Sequence, residues 1–398
     1  QLGDNTNINK SVPTIATGVD TVDFINVLLN TKAPSVRTVP ANRITFTGAT
    51  LNALIDANVS RATVSFEYGL TTSYGTTITL PGYTLGDADS FRKVNITGLL
   101  PHKTYHFRVV ATNSKGTTYG NNLTFITGGS SNAYNGRGAH SLIVDSFGLV
   151  YSFGQNSSGQ LGDGTTINRN KPVRVLKGAY NGTTYLGDNP ANPIISVESG
   201  IRSSIALAAD GSVYTFGDNA NGRLGDGTLI DKFTPIRVLK GLYAGTTFLG
   251  DNPANPIISV STGFINSMAL AADGTMYTFG GNDLGQCGDG TLTQRTTPVR
   301  VLKGAYSGTT FLGDNPRNPI ISAKIGSQFC IALAADGTLY SFGVNAADQL
   351  GDGSGINRTT PVRVLKGVYP GITFLGDSAA TPIISIAPNG YGCLALSR

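Results

Sequence analysis

The sequence predicts an all-β protein: a β-propeller, or a propeller-like repeat array, of about five modules, with an inserted β-sandwich. The main observation is a segment of 63 residues, Ile201–Gly263, that recurs along the chain with few changes. A fixed period of this length is typical of propellers and solenoids. No stretch has the apolar spacing or the length of a helix. Four glycines mark the period, each 63 residues after the one before: Gly164, Gly227, Gly290 and Gly353.

Each module carries the pattern of a four-stranded β-blade. The run IALAADGSVYTFG holds two short apolar segments joined by Asp-Gly, which predicts a hairpin with a two-residue type I′ turn. The runs TPIRV and PIISV predict two further strands, each opened by a proline that suits the first residue of a strand. Three modules share the turn: Asp210-Gly211, Asp273-Gly274 and Asp336-Gly337.

The module text resembles a known family, the regulator of chromosome condensation repeat. The run ALAADGTLYSFGVNAADQLGDG carries the resemblance, which extends over Ala139–Arg398 and implies a β-propeller. The matching residues in one module are Ala332, Leu333, Asp336, Gly337, Phe342, Gly343, Asn345, Gln349, Leu350 and Gly351.

The chain departs from the family pattern in three ways. Phe153, Phe216, Phe279 and Phe342 stand where the family usually has Trp, and each module carries a long insertion typified by AYSGTTFLGDNPRNP. There are also fewer modules than the seven blades usual in the family. Guanine-nucleotide exchange is not predicted, because neither a basic tail nor matching contact residues can be identified.

The repeats and the text between them predict three parts. Residues 1–34 are an N-terminal half-module, since QLGDNTNINKSVPT aligns with QLGDGSGINRTTPV. Residues 35–128 alternate apolar and polar residues with frequent turns, which predicts a β-sandwich. Residues 129–398 hold four full modules and a C-terminal partial module that begins at Tyr391.

The sandwich resembles the fibronectin type III pattern. The run GLLP at Gly98–Pro101 is followed by alternating apolar residues that are candidates for the core of the sandwich. The first of these residues is the candidate corner tyrosine. These residues are Tyr105, Phe107, Val109 and Ala111.

One module is split between the two ends of the chain, and its two parts together lack the strand that reads LYSFG in a full module. One interpretation is ring closure by strand exchange within the chain. The other is that the half-module of one subunit meets the complementary half of the next, because unpaired strand edges are templates for other chains. The missing strand favours the second interpretation, and a fragment of a much longer array is a third.

Composition and charge exclude several functions. Only 13% of the 398 residues are charged, about half the usual share, and Thr and Asn take their place. The net charge is +5, and each repeated VRVLKG carries two basic residues that repeated acids in the same module balance, so no basic stripe for nucleic acid is predicted. No apolar run reaches the roughly 18 residues of a membrane span. The composition favours an extracellular or cell-surface protein of bacterial type.

No catalytic, cofactor or metal site is predicted. His102, His106 and His140 have no acidic or Cys partners at ligand spacing, and packing or surface roles are expected of them. Each LGDGT or LGDNP offers one Asp beside Gly, which turn formation explains better than calcium binding. The three cysteines, Cys287, Cys330 and Cys393, have no metal spacing and are read as small buried side chains.

The sequence therefore predicts a non-catalytic extracellular structural protein, the subunit of a homopolymeric filament or surface assembly. The alternative is a monomeric secreted propeller that binds a protein or a glycan. The candidate interface residues lie at the two halves of the split module and in the insertions, where aromatic residues recur. They are Gln1, Leu2, Gly3, Cys393, Leu394, Ala395, Leu396, Tyr185, Phe248, Phe311 and Phe374.

Overall fold

The computed structural model describes most of the chain and is all-β throughout that part. The described residues are 32–45, 47–58, 60–82, 84, 90–100, 103–127, 130–131, 138–145, 147–368, 373–378 and 382–397. Within these ranges there is no helix, and hence none long and apolar enough to cross a membrane. The predicted half-module at residues 1–34 lies almost wholly outside the described residues, and no structure is assigned to it.

A β-sandwich occupies the first part of the described chain. Its eight strands are β1 (Ser35–Asn42), β2 (Ala49–Asp56), β3 (Thr63–Gly69), β4 (Thr76–Thr79), β5 (Ser90–Ile96), β6 (Thr104–Asn113), β7 (Gly116–Tyr119) and β8 (Leu123–Ile126). One sheet has the order β1-β2-β5, and the other has β4-β3-β6-β7, with β8 also paired to β6. The two sheets enclose one core, whose largest members are Phe66 and Phe107.

The candidate corner tyrosine makes the contact that such a residue makes in sandwich domains. The Tyr105 hydroxyl accepts a hydrogen bond from the Leu100 backbone N–H at 2.9 Å. Its ring also stacks on Phe125, with 5.6 Å between the ring centroids. The assignment of this sandwich to the fibronectin type III family stays a prediction.

The repeats form a series of antiparallel sheets that correspond to propeller blades. The strands are β9 (Ser130–Ser131), β10 (His140–Val144), β11 (Val150–Gly154), β12 (Arg169–Arg174), β13 (Ile194–Ser199), β14 (Ser203–Ala208), β15 (Val213–Gly217), β16 (Lys232–Arg237), β17 (Ile257–Thr262), β18 (Asn266–Ala271), β19 (Met276–Gly280), β20 (Arg295–Arg300), β21 (Ile320–Ile325), β22 (Phe329–Ala334), β23 (Leu339–Gly343), β24 (Arg358–Arg363), β25 (Ile383–Pro388) and β26 (Cys393–Ser397).

We number the blades one to five along the chain. Blade one is β10–β12, blade two is β13–β16, blade three is β17–β20, blade four is β21–β24, and blade five is β25–β26. The short strand β9 pairs in parallel with the inner strand of blade two. The four strands expected of each module are all present in blades two, three and four.

Blades and sequence modules are out of step by one strand. The PIISV strand at the end of a module pairs with the first strand of the following module, so that Val197 of β13 lies opposite Ala206 of β14. The same pairing joins β17 to β18 and β21 to β22. Each blade is therefore built from two consecutive modules, which ties neighbouring blades together through the chain itself.

The hairpins form at Asp-Gly as expected, but their turn differs from the predicted type I′. The Gly211 N–H donates to Ala208 O and the Ala208 N–H donates to Ser212 O, which makes a longer loop with a type I turn and a glycine bulge. Gly211 has φ +95°, whereas Asp210 stays outside the positive-φ region. Asp210 instead accepts a hydrogen bond from the Ser212 N–H at 2.8 Å. The extra loop residues make the type I′ geometry unnecessary.

Apolar side chains fill the spaces between successive blades. The core between blades three and four contains Met268, Leu270, Met276 and Phe342, all fully buried. Edge-to-face tyrosine pairs recur at the three boundaries from blade one to blade four, with ring centroids 5.4 to 5.5 Å apart. These pairs are Tyr180–Tyr214, Tyr243–Tyr277 and Tyr306–Tyr340.

The sandwich packs directly on the blades. Val39 and Leu54 of the sandwich share a buried cluster with Ile331 and Leu333 of blade four and Ile383 of blade five. The Lys93 ammonium donates a hydrogen bond to the Ala272 carbonyl oxygen of blade three at 2.9 Å. The sandwich is therefore held against blades three, four and five rather than tethered only by its linkers.

Candidate functional site

The broad face of β26 in blade five is apolar and open to solvent. Leu394 is 72% exposed and Leu396 is 60% exposed. The equivalent residues of blade four, 63 positions earlier, are Ile331 and Leu333, which are 4% and 0% exposed. Blade five and the sandwich cover that face of blade four. No described element covers the same face of blade five.

The backbone edge of β26 is also open within the described part of the chain. In blade four the corresponding strand β22 pairs with β21 on one side and β23 on the other. In blade five β26 pairs with β25 alone among the described residues. Its second edge therefore presents backbone donors and acceptors that a further strand can satisfy.

Blade one carries a complementary gap on its opposite side. Tyr151 of β11 is the counterpart of Tyr214, Tyr277 and Tyr340, each of which is buried against a tyrosine of the preceding module. Among the described residues no tyrosine packs on Tyr151, and its ring is only half-buried. Among the described residues, blade one therefore has no neighbour on this side, and blade five has none on its opposite side.

The insertions are small closed loops built around one aspartate. The Asp188 carboxylate accepts hydrogen bonds from the Thr183 N–H and hydroxyl and from the N–H groups of Thr184 and Tyr185, at 2.6 to 2.9 Å. Burial opposes ionisation, but these bonds outweigh it and lower the pKa of Asp188 to about 2. Asp251 and Asp314 hold the same place in the next two copies. The recurring LGDNP is therefore a loop-closing device.

The aromatic residue of each insertion packs against its own blade. Phe311 forms an isolated β-bridge with Leu302, and the Arg300 guanidinium lies 5.0 Å from the centre of its ring. The following residue, Leu312, is fully buried in the core between blades. The same contacts recur in the other copies, where Arg174, Arg237 and Arg363 lie over Tyr185, Phe248 and Phe374.

The structure brings together only some of the predicted interface residues. Cys393, Leu394, Ala395 and Leu396 are consecutive on β26. The four insertion aromatics lie in four separate loops and are half-buried, so their predicted interface role competes with packing and stays a prediction. Gln1, Leu2 and Gly3 lie outside the described residues.

One buried ion pair was not predicted from the sequence. The Lys324 ammonium on β21 donates to the Glu198 carboxylate on β13, across the intervening blade three. Glu198 is almost fully buried. The sequence repeat already marked these two charges as unusual, because the residues at the same position in other modules, Ser261 and Ala387, are uncharged. Opposite charges two modules apart mark a contact between non-adjacent blades.

The carboxylates of the other repeated aspartates form ion pairs and hydrogen bonds with neighbouring side chains. Asp163 receives the Arg169 guanidinium and the Thr165 hydroxyl, and Arg295–Asp289 and Arg358–Asp352 repeat this arrangement. In the described residues no three His, Cys, Asp or Glu side chains converge in a way that could hold a metal ion. The chemistry available at these positions is turn stabilisation.

The described histidine and cysteines of the blades are packed side chains. Burial lowers the pKa of His140 to about 4, and its Nε2 lies 2.9 Å from the Ser204 hydroxyl. Burial raises the pKa of the Cys287 thiol, which keeps it protonated. Cys330 is likewise buried, whereas Cys393 on β26 is partly exposed.

Sequence comparisons identify the repeats. The family model described as regulator of chromosome condensation (RCC1) repeat matches residues 148–207, 210–270 and 273–333. A second model with the same description matches residues 194–223. These segments run from the turn between β10 and β11 in blade one to strand β22 of blade four.

The curated relatives are larger proteins that share the repeats. The mouse E3 ubiquitin-protein ligase HERC2 is 28% identical over 263 residues, which is 66% of this chain but 5% of that protein. The ultraviolet-B receptor UVR8 of Arabidopsis thaliana is 29% identical over 227 residues, 57% of this chain and 44% of the receptor. The chain thus spans less than half the length of either relative.

One solved structure with a TM-score above 0.5 shares the fold at low sequence identity, and another is similar to a lesser degree. The crystal structure of human WBSCR16 superposes with a TM-score of 0.52 and 16% identity, covering 93% of this chain and 87% of that one. Prp20p from Saccharomyces cerevisiae, studied for its binding to Gsp1p and histones, gives a TM-score of 0.47 and 17% identity over 92% of this chain and 82% of that one. Identities this low speak to the fold alone.

Proposed function

Residues 148–207, 210–270 and 273–333 belong to the regulator of chromosome condensation repeat family, and we propose from this premise that the chain is a non-catalytic structural protein that assembles with copies of itself. The observation that carries the proposal is the open apolar face and edge of β26. Leu394 and Leu396 stand where a complete blade buries both residues.

A second copy of this chain is the occupant that fits the open surface best. Within the described array each covered blade face packs against a neighbouring blade of the same repeat, and blade four also packs against the sandwich, so the complementary shape already exists in the chain. Blade one offers an uncovered side at Tyr151. Blade five of one subunit packing on blade one of the next gives a head-to-tail contact, which forms a filament when the rotation does not close.

Strand addition would strengthen this contact. The free edge of β26 pairs with an incoming strand through main-chain hydrogen bonds, while Leu394 and Leu396 supply apolar contacts on the broad face. Both features act at one place, which makes the last blade the central element of the interface.

A location outside the cell fits this role. Only 13% of the residues are charged, and the surface is rich in Thr and Asn. Copies with few charged residues repel one another only weakly, which favours a polymer on the cell surface. Protease treatment of intact producing cells should degrade the protein, and full protection would contradict this location.

Assembly of the full-length chain tests the proposal. Size-exclusion chromatography with light scattering and electron microscopy should show assemblies of the wild type, and Leu396→Lys should reduce them to a 41.3 kDa particle with an unchanged melting temperature. Leu292→Lys is the matched control, since Leu292 is 59% exposed on blade three. A wild type that runs only as a single 41.3 kDa particle would instead support the monomeric, ligand-binding alternative.

A further inference from the structure

Cavities meet under the sandwich, where its β1–β2 connection faces the inner strands of the blades. One cavity of 290 Å³ is lined by equivalent Ile-Ser pairs from four blades, together with residues 40–44. A second cavity of 150 Å³ lies between β5 and blades three and four. Asn42, Arg43, Ile258 and Ile321 line both of them, so the two spaces adjoin. We call this space the junction cavity.

Arg43 lines both parts of the junction cavity. It also lines a third adjoining space beside Thr50 and Ile195. Among the described residues its guanidinium makes no hydrogen bond and no ion pair. Its backbone has φ +48°, a left-handed conformation that costs free energy in a residue other than glycine. A half-buried cation held in a strained conformation is typical of a binding site.

Two further groups define what the cavity can receive. Lys93 lies on the rim, and no carboxylate within the described chain forms a salt bridge with it. Partial desolvation lowers the pKa of Lys93, Asp273 raises it, and the positive charge of Arg43 lowers it further. Asn52 lines the same space, is fully buried, and has an Oδ1 atom with no hydrogen-bond donor among the described residues. Two cations and an unsatisfied acceptor thus converge on one space.

We propose that the junction cavity binds an acidic sugar, with its carboxylate between Arg43 and Lys93 and a hydroxyl group donating to Asn52. An arginine and a lysine together favour a carboxylate, because charge-assisted hydrogen bonds are stronger than neutral ones. The acceptor of Asn52 requires a donor, which a carboxylate lacks and a sugar hydroxyl has. Phe91, Ile258 and Ile321 supply the apolar surface against which a sugar ring packs.

Calorimetric titration of the full-length protein with D-glucuronate tests this site. D-glucose lacks the carboxylate and acetate lacks the hydroxyl groups, so both should bind at least about tenfold more weakly than D-glucuronate. Arg43→Asn should reduce affinity for glucuronate by about tenfold or more, since Asn tolerates the left-handed backbone but carries no charge. Lys93→Gln should act in the same direction.

The matched control is Lys103→Gln, because Lys103 is an exposed lysine of the same sandwich that does not line the cavity. Its affinity for glucuronate should equal that of the wild type, and added salt should weaken binding to the wild type. The proposal is overturned by absence of glucuronate binding, by equal binding of glucose, by equal or tighter binding of acetate, or by wild-type affinity in both Arg43→Asn and Lys93→Gln. Binding at this cavity is independent of the β26 interface, so either proposal can fail without the other.

Discussion

Single residues hold the insertions in shape, and the aspartate of LGDNP is the clearest case. Asp251 accepts four hydrogen bonds, from the hydroxyl and N–H of Thr246 and from the N–H groups of Thr247 and Phe248. Burial opposes ionisation of this carboxyl, yet the hydrogen bonds prevail and lower its pKa to about 2. The folded protein therefore binds a proton here less readily than the unfolded chain, whose Asp has a pKa of about 3.9.

Replacing this aspartate should change both stability and its dependence on pH. Because the pKa is lower in the folded state, the carboxylate stabilises the fold above about pH 4, and this contribution is lost as the pH falls towards 2. Asp251→Asn should destabilise the protein by about 1 kcal/mol at pH 7 and less at pH 2. Thermal unfolding across this pH range measures the effect. Thr247→Ala, which keeps all four hydrogen bonds, should follow the wild type, and parallel curves for Asp251→Asn and wild type would reject the role of the carboxylate.

A second residue-scale prediction concerns the Glu198–Lys324 pair. Lys324→Met leaves the buried Glu198 carboxylate without its ammonium partner and should destabilise the protein by about 3 kcal/mol. The double variant Glu198→Leu with Lys324→Met removes both charges and should unfold near the wild-type denaturant midpoint. If the double variant is as unstable as the single one, the loss comes from packing rather than from an unpaired charge.

At the scale of the elements, each insertion loop forms part of its own blade. Leu312 is fully buried and Phe311 is half-buried beneath Arg300. Leu312→Ala should therefore destabilise the protein by about 3 kcal/mol. Phe311→Ala should have a smaller effect, of about 1 kcal/mol.

Denaturant unfolding and light scattering, measured together, separate packing from an interface role for these loops. The observed contacts predict lost stability with unchanged assembly in both variants. Abolished assembly in Phe311→Ala at an unchanged melting temperature would support the predicted interface instead. Val173→Ala on the exterior strand of blade one, which touches neither loop residue, serves as a control for general destabilisation.

The strands and turns also show how much of the fold could be predicted from the sequence. Asp-Gly and the alternating apolar runs predicted the hairpins and four strands per repeat correctly, because these signals are local. The turn type was wrong, since the number of loop residues depends on where the flanking strands stop pairing. A repeat pattern cannot tell which neighbour a strand joins, so the pairing of PIISV with the next module was not foreseen. The open face of β26 was indicated by the split module, whereas Arg43 gave no sequence signal.

At the scale of the whole molecule, no described element covers the face of blade five that carries Leu394 and Leu396, and the sandwich sits over blades three to five. The sandwich contributes Val39 and Leu54 to the core it shares with blade four. Among the described residues, Leu394 and Leu396 of the last blade are left open where blade four buries the equivalent pair. A contact between copies is therefore expected at one defined place rather than over the whole array.

Cysteine labelling provides an independent measure of that contact. Burial raises the pKa of Cys287, and Cys330 is equally inaccessible, whereas Cys393 on β26 is partly exposed. A maleimide reagent should modify Cys393 first in dilute, unassembled protein, and assembly should slow this reaction. Cys393→Ser should remove the fast phase. Cys393 packs on the face of β26 opposite Leu394 and Leu396, so equal labelling rates in assembled and dilute protein would contradict strand addition at the edge of β26.

The one-strand offset between blades and modules determines which insertions and deletions in the gene leave the fold intact. Strand β13 pairs with β14, which opens the next module, and β18 has nearly the same sequence as β14. If one complete period of 63 residues is lost, β13 can therefore pair with β18 instead. Every remaining blade keeps its own number of strands and a neighbouring blade. Unequal recombination between copies can therefore lengthen or shorten the array by whole periods, whereas an insertion or deletion of any other length leaves a blade with mismatched strands.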